Sequence, residues 1–152
     1  MTASVVRMLE MRNIDVEARL IGVKSGDSCL TMAIYNNRLD ICRLLLDKGA
    51  LINGENWQTD TTIHLAAREG FIEIVRLLCD RGADVEARNI KGCTPLHYAV
   101  YCGEISVVKE LIEVRNAEIN ARMNNGLTAL RISRDRGKPD IVAYLLSHGG
   151  KT

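Results

Sequence analysis

The histidines are the first side chains in this sequence whose type could support catalysis. An imidazole can act as a general base or a metal ligand, and His64 and His97 each lie within a few residues of an acid or a thiol. Nucleophilic catalysis also needs a Ser or Cys nucleophile and an acid at suitable positions, and no such spaced set accompanies either histidine. We therefore predict no catalytic residues and no enzyme activity.

The five cysteines could form disulfides or bind a metal, but their number and spacing favour neither. The count is odd and no C-x-x-C pair occurs, which argues against a disulfide framework and a zinc ribbon. We expect Cys29, Cys42 and Cys79 to be small core residues. We expect Cys93 and Cys102, at a loop tip and a helix end, to carry exposed thiols. The sequence thus predicts no metal site and no cofactor.

The last three residues, Gly150, Lys151 and Thr152, look like the end of a phosphate-binding loop. The first glycine of that motif would fall at Leu145, inside an apolar helical segment. No helix follows Thr152 to present its N-terminus to a phosphate. We therefore expect no nucleotide site here.

The overall composition restricts the function classes further. The formal net charge is +1, so no global field favours nucleic acid or an acidic membrane. No run of eighteen apolar residues could span a bilayer, and the first residues lack the apolar core of a secretory signal. These features predict a soluble intracellular protein, cytoplasmic or nuclear, that binds neither nucleic acid nor membrane.

One eight-residue segment occurs four times, and the elements that it forms must position the histidines and cysteines. The clearest copy is GCTPLHYA. The four copies lie at residues 26–33, 59–66, 92–99 and 126–133, spaced by 33, 33 and 34 residues. Each is followed by Gly or Asn, which suits a helix end, and then by apolar residues at helical spacing. The pattern predicts repeated pairs of helices, the first pair near residues 29–36 and 39–48.

The repeat that contains the third copy is one residue longer than the others, and the extra residue lies near Val114 and Arg115. We expect this residue to lengthen or bulge the second helix of its pair. Hydroxyl side chains stand where they can cap the first helix of each pair. The expected caps are Ser28, Thr61, Thr94 and Thr128.

On these registered copies, with their turn glycines and helical spacing, the chain resembles the ankyrin-repeat family over nearly its whole length. The resemblance implies an all-α solenoid of stacked helix-turn-helix units with short β-hairpin loops, in a single domain at residues 1–152. It implies that His64 and His97 bond the neighbouring hairpin backbone, and it suggests hydroxylation of Asn53 and Asn120. The expected units are a partial repeat at 2–22 and repeats at about 23–55, 56–88, 89–122 and 123–152.

The resemblance implies a protein-protein interaction module that binds a partner protein through its concave groove and hairpin tips. A stoichiometric inhibitor of a kinase or transcription factor is the alternative. An enzyme or nucleic-acid binder is a third hypothesis, supported only by a basic region with six basic and two acidic residues between Arg115 and Lys138. That region fits either a solvated cap face or a dock for an acidic partner. We expect a monomer, with association through the incomplete first repeat as the alternative.

Register along the repeats identifies the residues that stacking leaves free to bind. Tyr35, Arg68 and Tyr101 share one register and should form a row along the groove, with Trp57 above it unless this side chain folds back onto its hairpin. Trp, Tyr and Arg are the residue types enriched at binding hot spots. The predicted protein-binding residues are Tyr35, Trp57, Gln58, Asp60, Arg68, Glu69, Ile90, Lys91, Tyr101, Asn124, Asn125 and Arg136.

Overall fold

The computed structural model describes residues 28–55 and 59–152. The partial repeat expected at 2–22, the hairpin that precedes residue 28, and the predicted binding residues Trp57 and Gln58 lie outside the described residues. The described residues contain helices and turns, and their only extended pairings are two isolated antiparallel bridges.

Four pairs of helices follow one another in the described part of the chain. The helices are α1 (Cys29–Tyr35), α2 (Leu39–Asp47), α3 (Thr62–Arg68), α4 (Ile72–Asp80), α5 (Pro95–Cys102), α6 (Ile105–Lys109), α7 (Ala129–Asp135) and α8 (Pro139–Ser147). The first pair agrees with the predicted ranges to within one residue at each end. Each successive pair is one unit of the fold.

The helices form two layers. The first helices of the units (α1, α3, α5 and α7) pack against one another, and the second helices (α2, α4, α6 and α8) form the other layer. Each unit therefore buries its apolar surface against its immediate neighbours, which is the arrangement of a solenoid. Large, fully buried side chains from every unit form one continuous core, among them Ile34, Leu45, Ile63, Leu78, Leu96, Leu111, Ile141 and Leu145. The predicted all-α solenoid is confirmed.

The first helix of each unit begins at a hydroxyl side chain, as predicted. The hydroxyl oxygens of Ser28 and Thr128 each accept the backbone N–H three residues further on, at 3.3 Å. Thr61 and Thr94 instead form capping boxes with the histidine at that position. These bonds satisfy N–H groups that the first turn of a helix leaves without a partner.

The two buried histidines form hydrogen bonds that link the middle units to the units that follow them. His97 Nδ1 accepts the Thr94 N–H at 3.1 Å, so the ring proton lies on Nε2, which donates to the Ala121 carbonyl at 3.1 Å. His64 Nε2 makes the equivalent bond to the Cys93 carbonyl at 2.9 Å. Burial lowers the pKa of His97 to about 4 and also lowers the pKa of His64, so both rings are neutral at pH 7. The structural role implied for these histidines is confirmed.

The extra residue of the third unit is accommodated in a π-helical turn, Glu110–Val114, which continues α6. The Arg115 N–H donates to the Glu110 carbonyl at 3.1 Å, the wider hydrogen bond of a π-helix. The predicted bulge is confirmed. It absorbs the insertion while Leu111 stays fully buried.

The same turn holds a buried carboxylate between two guanidinium groups. Arg76 Nε donates to Glu110 Oε2 at 3.0 Å, and Arg115 Nε donates to Glu110 Oε1 at 3.1 Å. Arg76 belongs to α4 of the preceding unit, so Glu110 links two units through the second layer. Arg115 extends the link by donating to Asp80 at 2.8 Å.

One threonine in the hairpin before α3 has a left-handed backbone. Thr59 has φ +58°, at the register where later copies have Gly92 and Gly126 with φ +71° and +80°. A β-branched residue is strongly disfavoured in this conformation. Thr59 is therefore a site of backbone strain.

Candidate protein-binding groove

The ends of the first-layer helices carry exposed or half-buried side chains in the same register. Tyr35 ends α1, Arg68 ends α3, and Tyr101 lies in the last turn of α5. Two residues before each of these side chains is an alanine that is buried against the stack. Because two positions correspond to about 200° of rotation around a helix, burial of the alanine leaves the later side chain on the open side.

Two tyrosine–arginine pairs connect neighbouring units on this open side. The guanidinium carbon of Arg68 lies 5.8 Å from the centroid of the Tyr35 ring, and that of Arg136 lies 4.0 Å from the centroid of the Tyr101 ring. Both distances allow a cation-π contact, which is worth about 0.5–1 kcal/mol at an exposed site. We call Tyr35, Arg68, Tyr101 and Arg136 the Tyr-Arg row.

The row stays accessible although its members contact one another. Tyr35 is 36% exposed and Tyr101 is 47% exposed, while Arg68 is half-buried. Arg68 Nε donates to Glu69 Oε1 at 3.0 Å, so a carboxylate already neutralises this guanidinium. Arg136 forms no ion pair with a described residue, and its charge is available to a ligand.

Two hairpin tips lie side by side and present the remaining predicted residues of the last two units. Asn124 Nδ2 donates to the Ile90 carbonyl at 3.0 Å, and the Asn124 N–H donates to the Lys91 carbonyl at 3.0 Å. Asn125 Oδ1 accepts the Leu127 N–H at 3.2 Å and shapes the second tip. The Ile90 side chain is 69% exposed, and Lys91 beside it is also exposed. Asn124 thus has a structural role and leaves Ile90 and Lys91 free for contacts.

Asp60 is not a surface residue, and its prediction as a contact residue is wrong. Its side chain is 0% exposed. Asp60 Oδ1 accepts hydrogen bonds from Asn89 Nδ2 at 2.7 Å and from the Tyr98 hydroxyl at 3.1 Å. Both donors belong to the next unit, so the carboxylate joins units in the interior. Burial, followed by the charge of Asp60, raises the pKa of Tyr98 and keeps its hydroxyl a donor.

The expectation of two exposed thiols is also corrected. Cys93 is buried, because the bond from His64 to its carbonyl draws this residue against the preceding unit. Cys102 is half-buried. Burial raises the pKa of the Cys42 thiol to about 12 and raises the pKa of the Cys79, Cys93 and Cys102 thiols, which disfavours the reactive thiolate in all four.

An open groove, which the sequence does not predict, lies beside the basic region for which a dock for an acidic partner is one of the two interpretations. It lies between α7 and α8 and has a volume of about 470 Å³. Arg134 and Lys138 line it together with apolar side chains that include Val142 and Leu146. A signal was present in the sequence, because Val142 and Leu146, four residues apart, share a face of the helix that follows the basic segment 134–138.

Two kinds of feature are absent from the described residues. No group of three potential metal ligands occurs within residues 28–55 and 59–152. In the same ranges no helix has the length and apolar character needed to cross a membrane. Stacked helix pairs with a row of exposed side chains along one side define a helical-repeat scaffold.

A family model described as ankyrin repeats (3 copies) matches residues 2–89 and 85–152. The chain belongs to the ankyrin-repeat family, whose members generally act as protein-protein interaction modules and are typically non-catalytic. A comparison with curated proteins gave no match.

Proposed function

We propose that this chain binds a partner protein non-covalently through the Tyr-Arg row and the hairpin tips at residues 90–91 and 124–125, without catalysis. The observation that carries the proposal is the pairing of two exposed tyrosines with arginines of the following units, of which Arg68 is half-buried and Arg136 is exposed. Stacking buries the alanines beside them and leaves this surface uncovered.

The row is suited to binding because its side chains already contact one another within the stack. Each arginine rests against a tyrosine of the preceding unit, and the helices that carry them are held by buried caps. Side chains that are fixed before binding lose little further entropy on association. Tyr and Arg are also the residue types that contribute most at hot spots.

The absence of catalysis is supported by the state of the reactive side chains. Both ring nitrogens of His64 and of His97 are engaged by backbone or threonine groups. The thiols of Cys42, Cys79, Cys93 and Cys102 are free and of raised pKa, and free thiols are typical of reducing compartments. This is the support for a location in the cytoplasm or nucleus.

The test is quantitative capture of proteins from cell extract by the immobilised chain and by a Y35A/Y101A variant. Loss of two hot-spot side chains should weaken partner affinity by about 2 kcal/mol or more, while circular dichroism shows an unchanged helix content. V114A, which shortens an exposed side chain of the second layer, is the control and should retain the partner. Undiminished capture by Y35A/Y101A would refute the proposal.

Two further measurements refine the same experiment. A W57A variant tests the predicted contact that lies outside the described residues. If the captured protein has an activity of its own, titration with the chain distinguishes a stoichiometric inhibitor, which abolishes that activity at equimolar ratio, from an adaptor, which does not.

A further inference from the structure

The last unit ends in an apolar groove that the described residues leave open. Pro139, Val142 and Leu146 of α8 provide its apolar lining, and its volume is about 470 Å³. Leu146 is 49% exposed. Covering such an aliphatic surface is favourable, and an exposed apolar patch rimmed by polar residues is typical of an interaction site.

Register shows that this groove corresponds to a surface that is buried in earlier units. Val142 is equivalent to Val75 on α4 and Val108 on α6, which are fully buried in units that another unit follows. Val142 itself is only half-buried. The end of the described stack thus keeps part of an apolar stacking surface.

A further unit could stack on this surface only if it brought a carboxylate to Arg134. Arg134 stands where the two middle units have Ala67 and Val100, both fully buried. An apolar helix stacked here would bury a guanidinium group without a carboxylate, which is strongly unfavourable. Whatever covers the groove must therefore bring negative charge with it.

Three cations near the groove are not neutralised by the described part of the chain. Arg134, Arg136 and Lys138 form no ion pair with a described residue. The carboxylate between them in sequence, Asp135, is bound instead by Arg131 at 2.9 Å. Arg134 and Lys138 line the groove, and the Lys138 side chain extends from it to Gly103 of the preceding unit.

We infer that this groove docks an acidic segment of the partner protein. One large apolar side chain of that segment enters the groove and covers Val142 and Leu146, while flanking carboxylates pair with Arg134 and Lys138. The inference rests on the proposed function and adds the chemistry of the partner. Charge complementarity of this kind favours rapid association and rejects basic segments.

Other occupants fit the groove less well. Nucleic-acid phosphates would pair with the cations but leave Val142 and Leu146 uncovered, and the net charge of +1 provides no long-range attraction to them. A second copy docked through the same surface would bring Arg134 and Lys138 of two chains together, because a two-fold interface pairs each patch with itself. An acidic segment with an apolar anchor satisfies both the charge and the apolar lining.

The experiment is selection of a random-sequence peptide library on the folded chain, followed by anisotropy measurements on the selected peptides. L146S removes the apolar wall, and R134Q/K138Q removes the two cations; both act on exposed or half-buried positions that tolerate substitution. R43Q/K48Q is the matched control, because it removes two exposed cations from α2 and its C-terminal end. Circular dichroism confirms that each variant is folded.

Peptides that need the groove should carry several carboxylates around one large apolar residue. Their affinity should fall by about tenfold or more in L146S and in R134Q/K138Q, and should stay unchanged in R43Q/K48Q. Selected peptides without carboxylates, equal binding by all variants, or no groove-dependent peptide would overturn the inference.

The competing occupants have their own signatures, and each would also overturn the inference. A single-stranded DNA oligonucleotide that binds as tightly as the peptides, with loss in R134Q/K138Q but not in L146S, would assign the surface to nucleic acid. Self-association in sedimentation experiments that L146S abolishes would assign it to a second copy. Partner capture that is lost in Y35A/Y101A but intact in L146S and R134Q/K138Q would leave the proposed function standing and refute the docking site alone.

Discussion

The buried imidazole of His97 should make the stability of this stack depend on pH between neutrality and pH 5. Burial lowers the pKa of His97 to about 4, from 6.5 for an exposed ring. Below a pH of 6.5 the unfolded chain binds a proton at His97 that the folded chain does not. The free energy of unfolding therefore decreases as the pH is lowered, until the ring is protonated in the folded chain as well.

The size of the effect follows from the two pKa values. When the pH is lowered from about 7.5 to 5, the free energy of unfolding should fall by about 2 kcal/mol for one such histidine. Most carboxylates titrate at lower pH, so the buried histidines dominate this interval. Burial also lowers the pKa of His64, which adds to the loss. Such a loss is large beside the roughly 5–15 kcal/mol that stabilises a typical domain.

Urea unfolding followed by far-ultraviolet circular dichroism at several pH values measures this dependence. Glutamine at position 97 can still accept the Thr94 N–H, as in other capping boxes, but does not titrate. H97Q should be less stable than the wild type at neutral pH. Between about pH 7.5 and pH 5, its free energy of unfolding should fall by about 2 kcal/mol less than that of the wild type. H148Q, which removes an exposed imidazole, should keep the full dependence because both buried rings remain. Equal pH dependence in H97Q and the wild type would refute the reasoning.

Substitutions at three more positions, Thr59, Asp60 and Glu110, are tested by urea unfolding at neutral pH. T59G should stabilise the chain by about 1 kcal/mol, because glycine adopts φ +58° without a clash; a loss of stability would contradict the strain. D60A should cost about 1–3 kcal/mol, because Asn89 and Tyr98 lose their shared acceptor; an unchanged midpoint would show that water replaces it. E110A should cost about 2 kcal/mol through two lost charge-assisted hydrogen bonds, and E110Q should cost less; equal losses would show that the charge is unimportant.

Most of the fold could be predicted from the sequence because each unit packs only against its neighbours. The recurring segment defines the helix pairs, and the signals for caps and turns lie within one unit. The π-helical turn follows from the same logic. A one-residue insertion in a helix that must keep Leu111 in the core is most easily absorbed as a bulge, and the structure has one at Glu110–Val114.

The errors concern contacts between units, which spacing alone does not encode. Polar hairpin residues are usually exposed, so Asp60 is predicted at the surface. It is buried because Asn89 and Tyr98, 29 and 38 residues further along, supply hydrogen-bond donors to its carboxylate. Cys93 is buried for a related reason, since His64 binds its carbonyl from a position 29 residues earlier.

The candidate site shows the same division between local and non-local signals. Register places Tyr35, Arg68 and Tyr101 in one row, and Asp135 holds that register in the last unit. In the structure Arg136 lies against the Tyr101 ring, while Asp135 is bound by Arg131 one helical turn earlier. A local ion pair of the i, i+4 type therefore decides which residue extends the row.

The turn between α7 and α8 belongs to both of the surfaces proposed for binding. Arg136 ends the Tyr-Arg row, and Arg134 and Lys138 on either side of it line the end groove. A partner that occupies both surfaces needs only modest affinity at each, because the first contact holds the second segment at a high effective concentration. Arg136 touches the row and lies between the two groove cations in sequence, so substitutions in the two surfaces should not be independent. If the chain binds as proposed, the basic residues of the last unit orient the partner, because they lie between the end groove and the Tyr101 ring.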